Sequence, residues 1–356
     1  MANFGGSYFG KNVPAIAENF PHRQEEEEEG VNFFRSSKQQ QLGGDGLQQQ
    51  RCDKPITTIF FDMDNTLIPT RKGDAKACSK IADLLLNEHD LPRDQAVAIS
   101  ITFLTALRRC PDNSDMPLAQ WRTQLWMDAL PAGHKHLAQK LYSRWLEYRT
   151  RYLTPSPEVI SMLKTLRRHY LLGIISNGPS AAQWEKIDRL ALNRYFDCIL
   201  VSSDLPWAKP ERNIFYAACH YLGVQPDECA MIGDKLETDV QGGIETKLGA
   251  TIWLPLPKDL RLGHDKTLAD LDEHIRPDFI VESVLDLPSV LPRQPALLRR
   301  HPQQQRPLDD RRNSETFVQK TTRNRDASYN RFLPDVPDLF SCSSNSCDSN
   351  GSMESN

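Results

Sequence analysis

Within Ile56–Leu67 an apolar run stops abruptly at two closely spaced carboxylates, and this pattern limits the folds open to the chain. The run Ile59–Phe61 follows β-branched residues, a composition typical of a strand buried on both faces of a parallel sheet. Asp62 and Asp64 come where such a strand would leave the sheet, and ligands of open α/β sheets bind outside the carboxyl ends of the strands. The stretch therefore predicts a buried strand that ends at a site.

The two aspartates permit two interpretations. Side chains alternate along a strand but not in the loop beyond it, so Asp62 and Asp64 could both face one pocket. Asp62 could then attack a phosphoester and form an aspartyl-phosphate, while Asp64 gives a proton to the leaving oxygen and later takes one from water. The alternative is a solvated turn, in which Asp and Asn are common.

Composition divides the 356 residues into a central region and two flanks. The flanks, residues 1–51 and 293–356, are rich in Gln, Ser, Asn, Arg and Pro and poor in apolar periodicity, which predicts disordered tails. Glu25–Glu29 is a run of like charge, and Phe332–Phe340 is an apolar and acidic island, so the tails are candidate sites for protein partners. The remaining region, about 240 residues, suffices for one core and an accessory lobe.

Charge and hydropathy exclude several functional classes. The formal net charge of −4 gives no basic footprint for nucleic acid. We find neither an apolar run of transmembrane length nor a secretory signal, so we expect a cytoplasmic protein that binds no membrane. The eight cysteines lack paired spacing and are expected to be free thiols, several of them buried.

Residues 74–153 carry helical periodicity without intervening strands, which predicts an inserted lobe of four helices, a cap. Its tryptophans are expected in the lobe's core: Trp121, Trp126 and Trp145. His134 and His136 have no acidic or thiol partner at metal-binding spacing and are expected at the surface.

From Pro157 onward, apolar strands alternate with amphipathic helices. This βαβα order predicts an α/β fold with a Rossmann-like, doubly wound parallel sheet, built from residues 52–73 and 154–292. Polar residues follow the predicted strands, and the carboxyl ends of parallel strands meet at one edge of the sheet. The residues expected there with the first aspartates are Ser176, Asn177, Lys209, Asp234 and Asp239.

This set of residues suits phosphoryl transfer, in which stabilising the transition state is mainly an electrostatic task. Ser176 is expected to give a hydroxyl to a bound phosphate, and Lys209 a charge. The loop amides near Met63, Asp64 and Asn177 are expected to form an anion-binding nest. Several carboxylates around one phosphate need a neutralising cation, and hard oxygen ligands favour Mg²⁺. The expected ligands are Asp62, the backbone carbonyl of Asp64 and Asp234, with Asp239 supporting them.

Four segments resemble, in order, the motifs of haloacid dehalogenase (HAD) superfamily phosphatases: Asp62–Thr66, Ser176–Gly178, Lys209–Pro210 and Gly233–Asp239. The resemblance implies the HAD fold with a helical cap after the first motif and a magnesium-dependent reaction. It also implies Asp62 as nucleophile, Asp64 as acid/base, and Lys209 as charge stabiliser. An aspartate at position 64 argues against the dehalogenase branch, whose leaving group needs no proton.

Longer segments resemble the branch of this superfamily that hydrolyses N-acylneuraminate 9-phosphate: Lys209–Tyr216, Leu222–Pro226, Leu236–Gly243, Ala250–Trp253 and Ser283–Pro288. The resemblance implies a role in sialic acid biosynthesis, with Arg71 and Lys72 as candidates for binding the sugar acid's carboxylate. Pro69, Lys235 and Glu245–Lys247 depart from the pattern, which leaves open another sugar phosphate or a nucleotide as substrate. A third alternative is an interaction protein that acts through its tails.

Overall fold

A computed structural model describes residues 55–111, 116–256 and 271–291. The predicted tails, including Phe332–Phe340, lie outside these ranges. Six parallel strands form one sheet in the order β3-β2-β1-β4-β5-β6. The strands are β1 (Thr58–Phe61), β2 (Leu171–Ser176), β3 (Cys198–Val201), β4 (Cys229–Gly233), β5 (Ala250–Trp253) and β6 (Phe279–Ile280).

Strand β1 lies at the centre of the sheet, between β2 and β4. Its side chains alternate between two cores, with Ile59 and Phe61 in one and Phe60 in the other. Burial on both faces explains the continuous apolar run in the sequence. The backbone N–H of Asp62 donates to the carbonyl of Ile232 at 2.8 Å, which fixes the first residue after β1 against β4.

Helices cover both faces of the sheet. Among the described residues, the helices of this region are α5 (Pro157–Leu166), α6 (Ser180–Arg189), α7 (Arg212–Leu222), α8 (Gln241–Thr246) and α9 (Leu287–Val290). Val159 of α5 and Ile187 of α6 pack in the core that contains Ile59, while Ile214 and Phe215 of α7 pack against Phe60. The predicted doubly wound α/β fold is therefore confirmed.

Short helical turns connect several of these elements within the described residues. They are Ala132–Leu137, Leu192–Arg194, Ser202–Asp204, Pro226–Glu228, Glu273–Ile275 and Val284–Asp286, with one π-helical turn at Leu236–Val240. The π-helical turn leads directly from the end of β4 into α8. Asp239 belongs to this turn and packs against Gly233 at the end of β4.

Four further helices share a hydrophobic core of their own: α1 (Thr70–His89), α2 (Arg93–Leu107), α3 (Leu118–Ala129) and α4 (Ala138–Leu153). Trp126 and Trp145 are fully buried in it, and the ring of Phe103 stacks on Trp126 with centroids 3.8 Å apart. Helix α1 begins at Thr70, directly after Pro69, so the predicted domain boundary at residue 74 falls inside a helix. We call α1–α4 the helical lobe.

Several smaller expectations concern single side chains. Cys198, Cys219 and Cys229 are buried free thiols, and His136 is exposed while His134 is partly exposed. Within the described ranges, none of the helices combines the length and apolarity that crossing a membrane requires.

Candidate active site

Asp62, at the end of β1, forms the centre of a buried polar cluster. Its Oδ1 accepts a hydrogen bond from Nζ of Lys209 at 2.6 Å, and its Oδ2 lies 3.4 Å from the hydroxyl of Thr66. Only 7% of the residue is exposed. A carboxylate held this firmly is restricted to one orientation, which a nucleophile requires.

Lys209 joins two carboxylates. Its Nζ also lies 2.7 Å from Oδ1 of Asp239, while Oδ2 of Asp239 accepts from the backbone N–H of Lys235 at 3.0 Å. Burial lowers the pKa of Lys209, but the charges of Asp239 and Asp62 outweigh it and raise the pKa above its ordinary value. The lysine therefore carries a positive charge at neutral pH.

Gly233 permits the close packing of Asp239. A Cβ at position 233 would lie 2.1 Å from Oδ2 of Asp239, far inside van der Waals contact. The end of β4 can therefore hold this carboxylate against its own backbone only with glycine there.

Asp62, Asp234 and Asp239 form a possible metal centre. Their ligand atoms all lie within 4.8 Å of one another, and all three residues are buried. Burial raises the pKa of Asp234, and the neighbouring Asp239 adds to the rise. Three carboxylates face one lysine here, and this surplus of buried negative charge and hard oxygen ligands fits a divalent cation such as Mg²⁺.

The turn after β1 connects its loop to this centre. Asn65 has a positive φ of 64°, which Asn tolerates better than most residues. Its Nδ2 lies 3.4 Å from Oδ2 of Asp234, and its Oδ1 accepts from the backbone N–H of Arg71 at 2.9 Å. Arg71 and Lys72 are both exposed at the start of α1.

Ser176 and Asn177, which are expected to bind phosphate together with Lys209, differ in their contacts. Ser176 is fully buried at the end of β2, and its Oγ has no hydrogen-bond partner among the described residues. The side-chain amide of Asn177 instead makes two hydrogen bonds to the backbone of Lys209, at 2.8 and 2.9 Å. Ser176 thus keeps a free hydroxyl, whereas the side chain of Asn177 positions the lysine.

Asp64 has a different set of partners, which sequence reasoning missed. Nζ of Lys186 lies 2.6 Å from Oδ1 of Asp64 and 2.5 Å from its Oδ2. The side chain of Gln183 donates to Oδ2 at 3.1 Å, and the hydroxyl of Thr70 donates to Oδ1. Burial alone would raise the pKa of Asp64, but Lys186 lowers it to about 2. A helical-wheel argument would have found both α6 partners, because Gln183 and Lys186 lie four residues before Ile187 and Leu190, on the inward face.

The pKa of Asp62 is shifted in the opposite direction from that of Asp64. Burial raises its pKa from 3.8 to about 7 against the field of Lys209, and the charge of Asp239 adds to the rise. The folded protein therefore binds this proton more tightly than the unfolded chain does.

A pH dependence follows for the protein in the presence of a chelator. The contribution of Asp62 to the unfolding free energy is expected to be greatest below pH 4 and to fall as the pH rises to about 7, because folding then requires a buried charge or a bound proton. Urea unfolding of the wild type and of Asp62→Asn between pH 4 and 8 measures this. The variant should gain stability relative to the wild type as the pH rises, and a constant difference would contradict the shifted pKa.

Comparison with known proteins places this site in a family. A family model described as haloacid dehalogenase-like hydrolase matches residues 56–245, and a second model for HAD-like hydrolases matches residues 206–287. N-acylneuraminate-9-phosphatase of Homo sapiens is 31% identical over 241 residues, 66% of this chain and 94% of that protein. Glyceraldehyde 3-phosphate phosphatase of Pyrococcus furiosus is 29% identical over 243 residues, 67% of this chain and 94% of that protein.

Among solved structures, the crystal structure of a HAD phosphatase from Thermococcus onnurineus matches with 25% identity and a TM-score of 0.44, covering 66% of this chain and 97% of that one. The first family model alone covers more than half of the sequence and contains Asp62, Asp64, Ser176, Lys209 and Asp234. The chain belongs to the haloacid dehalogenase-like hydrolase family.

Proposed function

We propose that this chain is a magnesium-dependent phosphatase that hydrolyses a small sugar phosphate, N-acylneuraminate 9-phosphate, through an aspartyl-phosphate. The observation that carries the reaction type is the contact of Lys209 with both Asp62 and Asp239. Ser176 ends the neighbouring strand β2, and its hydroxyl has no hydrogen-bond partner among the described residues. This arrangement offers a nucleophilic carboxylate next to donors for the oxygens of a phosphate.

The proposed reaction has two steps. A carboxylate oxygen of Asp62 attacks phosphorus and breaks its bond to the ester oxygen, to which Asp64 gives a proton. Because Lys186 keeps Asp64 ionised at neutral pH in the site without substrate, Asp64 takes up this proton as the ester binds. Water, deprotonated by Asp64, then attacks the phosphorus of the aspartyl-phosphate and releases inorganic phosphate, which restores both carboxyl groups. Lys209 and Ser176 stabilise the charge on the phosphoryl oxygens throughout.

Asp62 and Asp234 of the acidic cluster would hold Mg²⁺ together with the backbone carbonyl of Asp64. Asp239, the third carboxylate of the cluster, supports them through its contact with Lys209. When bound, the cation neutralises charge on the phosphoryl group and the nucleophile. The buried negative charge of this cluster supports the assignment, because without a counterion it opposes the approach of a phosphate dianion.

The substrate assignment has separate support. A relative that covers 66% of this chain is named N-acylneuraminate-9-phosphatase, whereas another of similar coverage is named for glyceraldehyde 3-phosphate. Arg71 is exposed at the start of α1, and its backbone N–H donates to Asn65, whose side chain lies 3.4 Å from Asp234, so Arg71 is attached near the site. A guanidinium there suits a substrate that carries a carboxylate in addition to its phosphate.

Steady-state kinetics on a panel of esters tests the proposal. We expect kcat/KM for N-acetylneuraminate 9-phosphate to exceed the values for glyceraldehyde 3-phosphate and a pyrimidine 5′-nucleotide at least tenfold, roughly 1.4 kcal/mol of discrimination. Chelation of Mg²⁺ should abolish turnover of every ester. Equal or better turnover of the other esters would contradict the substrate assignment but not the two-step mechanism. Turnover that survives chelation would contradict the proposed dependence on Mg²⁺.

A further inference from the structure

Helix α6 presents two polar side chains to the interior of the protein. Gln183 is 3% exposed and Lys186 is 5% exposed, although lysine and glutamine are seldom buried so completely. Both side chains reach Asp64, which follows β1 in a separate part of the chain. None of the four motifs that resemble the family contains either residue.

These contacts orient the carboxylate of Asp64. Lys186 contacts both oxygens, Gln183 donates to one and Thr70 to the other. The orientation of Asp64 is therefore set by α6 and by the first residue of the helical lobe.

Helix α6 also contacts the helical lobe, through the residue that precedes Lys186. Arg122 of α3 is 1% exposed and forms an ion pair with Glu185, the neighbour of Lys186. The guanidinium carbon of Arg122 lies 5.3 Å from the ring centroid of Trp145, in the lobe's core. An uninterrupted series of contacts thus joins the lobe's core to α6 and α6 to Asp64.

We propose that Lys186 and Arg122 are positioning residues for the acid/base step: Lys186 holds the carboxylate of Asp64, and the Arg122–Glu185 ion pair holds α6 against the helical lobe. This inference rests on the proposed function, in which Asp64 protonates the leaving oxygen and later deprotonates water. One carboxylate must serve both positions, and a displacement of about 1 Å in a catalytic group can cost about 100-fold in rate.

The test compares two classes of ester. An alkyl phosphate releases a strongly basic alkoxide that needs a proton, whereas 4-nitrophenyl phosphate releases a weakly basic phenolate that does not. The ratio of kcat/KM for the two esters on one enzyme preparation does not depend on the fraction that is folded. It therefore reports on the acid step even in a variant of lowered stability.

Lys186→Met should lower kcat/KM for the alkyl ester by about 10- to 100-fold and for the aryl ester less than about threefold. Asp64→Asn is the reference and should show the same selectivity with a larger loss, about 10² to 10⁴-fold. Adding Lys186→Met to Asp64→Asn should cost nothing further, because the two residues act through one group. Lys186→Arg should restore part of the loss, and Arg122→Met should shift the ratio in the same direction by less.

Arg189→Met is the matched control. Arg189 lies on the same helix and also contacts Glu185, at 3.1 Å, but it is half exposed and this ion pair lies within α6. The ratio should be unchanged in this variant. Equal losses on both esters in Lys186→Met, additive losses in the double variant, or faster alkyl hydrolysis would each overturn the positioning role. A wild type that hydrolyses neither ester with Mg²⁺ would overturn the proposed function and this inference together.

Discussion

Replacing Asp62 by asparagine is expected to abolish turnover, with kcat falling on the order of 10⁴-fold or more, the loss seen when an enzyme's nucleophile is removed. The amide is nearly the same size and can stay beside Lys209 and Thr66, so the loss reflects chemistry and not a change of shape. Burial that raises the pKa of Asp62 also means that the neutral amide should not destabilise the fold at pH 7.

Two measurements distinguish the loss of the nucleophile from a loss of folded protein. Release of inorganic phosphate gives kcat, and acid quenching after mixing with ³²P-labelled substrate should trap labelled wild-type protein but no labelled variant. Asp83→Asn is the control, because Asp83 is half exposed on α1 and contacts only Lys80 among its ion-pair partners in the described chain. Turnover within tenfold of the wild type, or label in the variant, would rule out Asp62 as the nucleophile.

Replacing Lys209 by methionine should affect both stability and catalysis. Lys209 is 3% exposed and contacts Asp62 and Asp239, so its loss leaves two buried carboxylates without their counterion. Breaking a buried pair in this way costs about 3–5 kcal/mol. Loss of a charge aimed at the phosphoryl oxygens should also lower kcat by about 10² to 10³-fold.

The effect of Mg²⁺ on stability should show whether Lys209→Met destabilises the protein through lost charge or through lost packing. Because the cation would supply positive charge to the same carboxylates, it should raise the Tm of Lys209→Met more than that of the wild type. Lys140→Met serves as the control, since Lys140 forms an exposed pair with Glu88 and solvent screens such a pair. A stability loss that Mg²⁺ does not reduce would contradict the proposed metal ligands.

Much of the fold could be predicted because a strand that is buried on both faces has a continuous apolar run in its sequence. The apolar run before Asp62, the alternation of strands and helices from Pro157 and the position of Lys209 after β3 all follow from local patterns. The start of α1 was misplaced by four residues, because Pro69 precedes a first turn that contains charged and glycine residues instead of an apolar stripe.

The sequence by itself determined the parallel sheet and the set Asp62, Ser176, Lys209, Asp234 and Asp239 at its edge, because the strand that precedes each group specifies where the group must lie. Only the tertiary structure decided which of these groups touch, that Asn177 holds the backbone of Lys209, and that Lys186 pairs with Asp64. Lys186 and Asp64 are separated by 122 residues, and Arg122 and Glu185 by 63. Contacts at such separations depend on how helices pack on the sheet, which no local pattern in one sequence records.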